Sequence, residues 1–486
     1  FRYLRFRQIA YMIILRILPV SPKLPSSIKV GIRDGFSLQA PIRPKKNCLV
    51  GNQLSFLNEP REIQIHSMDW VASDAPKLWR YNLHYFDYLL DPESHVEANN
   101  DLIESWIDNN LPGTEDAWEP YTMSLRIVNW IKYFACLHEG EVPRKWLESL
   151  FRQSLWLEQQ IEYHILANHY LKNGVALLFA GCFFEGKEAA RWFQLGLKIV
   201  TEEAKEQILD DGGHYERSPM YHSIVTEDYL DIYNLLTSNH GQRSSPYTET
   251  IRSKCKKALD FLSQVLMPDD DIPLFNDAAF GIAPKPDAVF DYGQQLFGYE
   301  RSLGSQEIRV IDLPDSGYFG VRDQNDMILV DCGEISADYQ PGHAHCDMLS
   351  YELTINGQRV VVDSGVYDYQ TGERRLMSRS TQGHNTVMVD GQEQSEIWGV
   401  FRVARRAKPL SPSINKVNDS VVFSGGHDGY RRIDSDLIHH REVEIETGRW
   451  VIADEIRGNG IHKVESFIHL HPCIISVTEE GYISLQ

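Results

Sequence analysis

Three clusters in this chain of 486 residues carry side chains able to do chemistry. The densest is Gly342-His343-Ala344-His345-Cys346-Asp347, followed by VVVDSG with Asp363 and by QGHNT with His384. Side chains two apart on a strand face the same side, so the spacing predicts that His343 and His345 project together. Asp363 closes the next apolar strand and His384 precedes another. Imidazoles and a carboxylate brought together from adjacent strands make an N/O site suited to zinc or a similar divalent ion, with surface histidines near turns as the plainer reading. The second cluster comprises Asn168 and His169, where ANHY interrupts a helical pattern, and DGGHYERSPMYHS, which sets Tyr215, Glu216, Arg217, Tyr221 and His222 on a loop before a helix. Loops on a rigid scaffold often carry function, whereas a tyrosine by itself is more often a packed ring with a bonded hydroxyl. The third is a pair of arginine-rich segments, with Arg374, Arg375 and Arg379 in one and Arg402, Arg405 and Arg406 in the other. Guanidinium forks bind carboxylate or sulfate bidentately; the alternative is a solvated sheet face.

Two kinds of scaffold must hold these groups. From about residue 78 to 265 apolar residues recur at three- and four-residue steps, the period of helices with one buried face. Seven or more such helices with short connections favour layered hairpins, either a bundle or a toroid. Beyond a turn-rich stretch the segments YFGVR, MILVDCG, SYELTING, RVVVDSG, NTVMVDG and RWVIADEIRG alternate or run β-branched and end on turn residues. They indicate an antiparallel sandwich. The expected organisation is a basic amphipathic lead-in over 1–77, a helical domain over 78–305 and a sandwich over 306–486 that continues past the last strand, GYISLQ.

The composition, 42% hydrophobic and 24% charged, is that of ordered domains. A net charge of −20 argues against nucleic acid as a partner, and a polyanionic ligand would need a local basic site. Seven scattered cysteines (48, 136, 182, 255, 332, 346 and 473) form no CxxC pair, which disfavours a disulfide framework or a zinc finger. No apolar run is long enough for a transmembrane helix. The opening FRYLRFRQIAYMIILRILP mixes arginines with an apolar stripe; docking as a terminal helix is the favoured reading, and contact with a membrane surface is the other.

Seven segments together resemble the heparinase II/III-like polysaccharide lyases: WRYNLHYFDYL (79–89), GTEDAWEPYTMSLRIVNW (113–130), LANHYLKNGVAL (166–177), DGGHYERSPMYH (211–222), GHAHCDMLSYEL (342–353), VVVDSGVYDY (360–369) and RSTQGHNTVMVDGQEQ (379–394). The resemblance implies an incomplete (α/α) toroid followed by an antiparallel β-sandwich, and β-elimination at a uronic acid. That reaction needs the uronate carboxylate neutralised, a base at C5 and an acid at the leaving C4 oxygen. Carried over by motif, Asn168 and His169 bind the carboxylate, Tyr221 is the catalytic tyrosine with Tyr215 as the competing candidate, and His343 is the second catalytic histidine. Tyr215, Arg217, Arg379 and Glu119 are the substrate-binding candidates, Arg379 alternatively bracing the metal loop. His345, Asp363 and His384 are the implied metal ligands, for zinc first and manganese or calcium otherwise, in a structural role. Where some relatives have Glu three residues after the histidine, this chain has Lys172.

The expected substrate is a glycosaminoglycan such as heparan sulfate, chondroitin sulfate or hyaluronan, with alginate or a bacterial exopolysaccharide as the alternative. A periplasmic or cell-surface location follows from such substrates, and a homodimer stays open. Two other classes compete: a toroid glycoside hydrolase using carboxylates such as Glu119 and Glu216, which needs a fixed carboxyl separation, and a non-catalytic polysaccharide-binding protein.

Overall fold

The computed structural model describes residues 3–18, 21–43, 49–50, 53–64, 68–239, 245–301, 308–418, 420–479 and 482–485. Cys48 and the domain junction expected near residue 305 lie outside them. The chain packs as two compact units, Phe1–Gln207 with Val225–Lys256 and Asp291–Tyr299, and Ile208–Ile224 with Lys257–Phe290 and Glu300–Gln486.

The first unit opens with α1 (Phe6–Ile17) and a small antiparallel sheet of β1 (Leu49–Val50), β2 (Gln53–Phe56) and β3 (Glu59–Glu62). It continues through α2 (Lys77–Tyr85), α3 (Val96–Asn109), α4 (Pro120–Cys136), α5 (Arg144–Glu158), α6 (Ala167–Phe183) and α7 (Lys187–Gln207). Parts of α8 (Pro219–Ser238), α9 (Pro246–Val265) and α10 (Pro286–Phe297) complete it. The helices form where the three- and four-residue apolar period predicts them. Pro120 begins α4, a position whose N–H has no intrahelical acceptor, so proline costs nothing there. Met123, Ile127, Trp130 and Ile131 then bury one face of α4 completely. Trp130 meets Phe86 and Trp106 edge-on at 5.4 and 5.5 Å, a favoured aromatic geometry. The α6–α7 hairpin closes tightly because three glycines let the backbones approach: a Cβ on Gly196 would sit 2.5 Å from the Leu178 nitrogen, and one on Gly181 2.4 Å from that of Phe193.

The second unit contains two large antiparallel sheets and three two-stranded ones among the described residues. One is a meander of β4 (Ile308–Leu313), β5 (Tyr318–Asp323), β6 (Asp326–Asp331), β7 (Tyr351–Ile355) and β8 (Gln358–Val361). After α11 (Glu373–Arg379) come the short strands β9 (Val387–Val389), β10 (Glu396–Trp398) and β11 (Arg402–Ala404). The second large sheet is β12 (Pro409–Val417), β13 (Ser420–His427), β14 (Ile438–Glu446) and β15 (Arg449–Arg457), and β16 (Val464–Ser466), β17 (Ser476–Glu479) and β18 (Tyr482–Leu485) end the chain. Phe319, Ile328 and Val330 of the first sheet share a core with Phe423, Val443 and Ile445 of the second, as a sandwich requires. Met327, Leu329 and Ile311 face the other way, against Phe261, Val265 and Phe275. That contact ties residues 257–290, which precede the strands in sequence, to the sheet unit.

Two local expectations are corrected. His343 and His345 do not lie on a strand: residues 341–350 are turns and irregular backbone, and β7 begins only at Tyr351. Pro341 has no N–H, and the amides that follow serve other partners. His345 N donates to Asn276 Oδ1 (3.0 Å), Cys346 N to Arg379 O (3.0 Å) and Met348 N to Gln394 Oε1 (3.1 Å), leaving no ladder to form. Tyr221 and His222 are not on a loop but in the first turn of α8. Ser218 Oγ caps that turn by accepting the Tyr221 N–H at 3.3 Å, and Pro219 takes the first helical position. The six cysteines among the described residues are all unpaired.

Candidate active site

In the second unit the chemistry centres on Asp277, a fully buried carboxylate in the irregular segment after α9. His343 Nδ1 reaches Asp277 Oδ2 at 2.9 Å and His345 Nε2 reaches Oδ1 at 2.7 Å, while the Arg375 guanidinium grips both oxygens from α11. Burial alone would raise the Asp277 pKa, but the two histidine hydrogen bonds and the arginine charge hold it well below the usual carboxylate range. The arrangement fixes the His343 ring and leaves its Nε2 edge 3.8 Å from Glu216. Tyr221 lies over that ring with centroids 4.0 Å apart, and its hydroxyl is 3.2 Å from that of Tyr369. Tyr221 is only half-buried, whereas Tyr215 is buried with its hydroxyl accepting from Tyr339 at 3.2 Å. Of the two tyrosines in this motif, Tyr221 is the one open to a ligand.

Behind His343 lies the metal candidate. His345, Asp347 and His384 are buried and offer one ligand atom each within 4.8 Å of one another. His345 Nδ1 and His384 Nε2 are buried with no hydrogen-bond partner, as suits two imidazoles placed to hold a metal ion. Asp363, the carboxylate expected in this set, accepts from His384 Nδ1 at 2.8 and 3.0 Å and so stands beside the triad. Burial would lower the His384 pKa, yet Asp363 raises it to about 9: the site favours an added positive charge. The donor set of two imidazoles and neighbouring carboxylates fits a borderline divalent ion such as zinc.

The first unit holds the other expected pair at the start of α6. Leu166 and Ala167 have φ of 63° and 52°, left-handed backbone that breaks the chain sharply before the helix. Asn168 and His169 therefore occupy its first turn. Asn168 Nδ2 donates to the Tyr121 hydroxyl (3.2 Å), and its Oδ1 is buried without a partner. The His169 ring lies 4.3 Å from that of Tyr121, tilted by 36°, and its Nδ1 meets Glu162 Oε1 at 2.9 Å. Glu162 is itself fixed by Asn173, which donates to Oε2 at 3.0 Å and accepts the Glu162 N–H at 2.8 Å. Lys172 is engaged elsewhere, by Asp228 at 2.7 Å.

The remaining expected residues are structural in their contacts. Arg379 is fully buried and gives Nε and Nη2 to Ala344 O and Nη1 to Gly399 O, so it braces the histidine loop and has no exposed face for substrate. Arg217 donates to the carbonyls of Tyr215 and Asp315. Glu119 precedes α4 and pairs with Lys77 (3.0 Å) and the Tyr81 hydroxyl. Glu216 is buried at 1% exposure, Arg402 and Arg405 are exposed, and Arg406 pairs with Asp338 at 3.2 Å.

The model of the heparinase II/III N-terminus matches residues 57–297, and that of the heparinase II/III-like C-terminal region matches residues 306–485. The chain belongs to the heparinase II/III-like family. Within the family it is 24% identical to a heparin-sulfate lyase of Bacteroides thetaiotaomicron over 447 residues, covering 82% of this chain and 59% of that protein. It is 25% identical to FtsZ-localized protein C of Caulobacter vibrioides over 401 residues, covering 78% and 64%. The chain spans just over half the length of the heparin-sulfate lyases it matches. A crystal structure of heparinase III superposes with a TM-score of 0.65 at 20% identity, covering 93% of this chain and 75% of that one, a likeness of fold. For this heparinase II/III-like chain, sequence reasoning missed Asp277, Glu162 and Asp347. Asp347 was visible in the GHAHCD motif, Asp277 stands in a turn-rich stretch, and Glu162 stands at the end of a helical pattern whose apolar period says nothing of its polar residues.

Proposed function

We propose that this protein is a polysaccharide lyase that cleaves a uronate-containing glycosaminoglycan by β-elimination. The observation that carries the reading is the Tyr221–His343 pair, a half-buried phenol whose ring lies 4.0 Å, tilted by 34°, from an imidazole whose other edge is anchored by Asp277. A phenol and an imidazole held in contact can exchange protons with C5 and the C4 oxygen of a bound uronate, work worth roughly 10²–10⁴ in rate. Asn168 and His169 are assigned to the uronate carboxylate, whose charge must be offset before the C5 proton becomes acidic enough to leave. Asn168 Nδ2 carries two N–H groups, and the one given to the Tyr121 hydroxyl leaves a second that a carboxylate can accept. The heparin-sulfate lyases among the relatives favour heparan sulfate over chondroitin sulfate, hyaluronan and alginate as substrate. The reading places the enzyme in the periplasm or at the cell surface, where such polymers are met. A divalent ion held by His345, His384 and Asp347 or Asp363 would tie the histidine loop to its neighbours, and no proton transfer is assigned to it.

The test is incubation with each of the four polymers while following the ultraviolet absorbance of the C4–C5 unsaturated uronate. Tyr221→Phe is expected to lower that rate by at least 10²-fold with the fold intact. New reducing ends without the absorbance would mean hydrolysis and reject the lyase reading. For the metal, His345→Ala is expected to lose bound zinc by elemental analysis; undiminished metal would reject the site.

A further inference from the structure

We propose that α1 seats this protein on an anionic lipid surface. The helix has two unlike faces. Its inner face is fastened to the first unit: Gln8 Nε2 donates to Ile165 O at 3.0 Å, Arg7 donates to the Tyr170 hydroxyl at 3.0 Å, the Tyr11 ring lies 4.4 Å from that of Tyr163, and Arg5 pairs with Glu206. A helix turns about 100° per residue, so Phe6, Ile13 and Ile17 fall within about 40° of one another on the opposite side. They are 86%, 53% and 69% exposed, and Leu18, just past the end of the helix, is 67% exposed. Large aliphatic and aromatic side chains gathered this openly on a fastened helix mark a contact surface.

The charge around the stripe selects the partner. Residues 1–33 contain seven lysines and arginines and no aspartate or glutamate, although the chain as a whole carries −20 and its other 453 residues therefore −27. Arg16 is exposed at the flank of the stripe. An apolar face on a helix whose own charged residues are all arginines is the pattern of a helix lying in the headgroup layer, its side chains in the acyl boundary and its exposed Arg16 on lipid phosphates. At 12 residues, about 18 Å, α1 is too short to cross a hydrocarbon core of about 30 Å, so the contact is in-plane.

Co-sedimentation of the 486-residue chain with vesicles tests this. With phosphatidylglycerol–phosphatidylcholine vesicles the bound fraction is expected to exceed that with phosphatidylcholine alone at least tenfold, and to fall with added salt. The triple variant Phe6→Ser, Ile13→Ser, Ile17→Ser alters only outward side chains; it should keep its unfolding midpoint and lose binding at least tenfold, and Arg16→Glu should reduce the preference for anionic vesicles. Failure of the unaltered chain to sediment with anionic vesicles overturns the proposal, as does equal sedimentation of the triple variant. So does light scattering that shows a dimer dissociated by the triple variant with no vesicle binding, which would make a second copy the occupant. None of these outcomes depends on lyase activity.

Discussion

In the second unit one buried carboxylate, Asp277, answers two imidazoles and a guanidinium, whereas in the first unit Glu203, almost as deeply buried on α7, is bonded to the neutral amide of Gln207 at 2.6 Å. Burial disfavours both charges, yet the outcomes are opposite. Asp277 is held well below the usual carboxylate range, while burial pushes Glu203 up to about 7. Environment rather than depth decides whether a buried acid is a permanent anion that organises its neighbours or a group that is neutral for part of the physiological range. The candidate catalytic histidine of the second unit hangs on the first kind.

Asp277→Asn should show the larger effect. Replacing the carboxylate leaves the Arg375 guanidinium buried without its counter-charge, which costs about 3–5 kcal/mol. His343 and His345 lose their common acceptor as well. Urea unfolding followed by circular dichroism of the strands should register the loss, and lyase turnover should fall with it. A change under about 1 kcal/mol would mean that Asp277 does not organise the cluster.

Glu203→Gln should act in the opposite direction. The folded pKa of about 7 lies above the ordinary value of 4.5, so this acid's contribution to stability is fully present below pH 4.5 and is lost as pH rises through 7. Glutamine cannot ionise and keeps an oxygen for the Gln207 amide. At pH 8 the variant should therefore be more stable by on the order of 2 kcal/mol, and at pH 4 nearly equal to the parent. Eight of the ten tryptophans belong to the first unit, so their fluorescence during urea unfolding reports the unit concerned. Equal stabilisation at both pH values would show that packing, not ionisation, is responsible.

The helical and strand halves were legible because both periods are written in the apolar residues, and the histidine-rich motif marked the segment that meets Asp277. What escaped is informative. His343 and His345 do project to a common partner, but through an irregular segment whose amides are taken by Asn276, Arg379 and Gln394, long-range acceptors that no local pattern reveals. Asp277 stands in LFNDAAF, a turn-rich stretch that reads as a connection, and its importance arises only when His343, His345 and Arg375 arrive from 66 to 98 positions away. Arg379 carried a guanidinium suited to sulfate, and only its complete burial shows that it serves backbone carbonyls instead.

Glu162 gives the finest test, because it makes the first unit resemble the second. Like Asp277 it anchors a candidate catalytic imidazole through Nδ1, but its second oxygen is held by the neutral Asn173 amide rather than by an arginine. A carboxylate on Nδ1 fixes the tautomer and directs Nε2 outward, and stabilises the ring when it gains a proton or meets an anion. Glu162→Gln retains an oxygen for Asn173 and removes the charge without stranding a buried cation. The expected result is a fall in lyase turnover of roughly 10- to 30-fold, about 1.4–2 kcal/mol of transition-state stabilisation, with the unfolding midpoint nearly unchanged. If instead stability fell as far as in Asp277→Asn, Glu162 would be a structural anchor of the α6 entry, and the contrast between an anchored cluster and a tuned one would not hold.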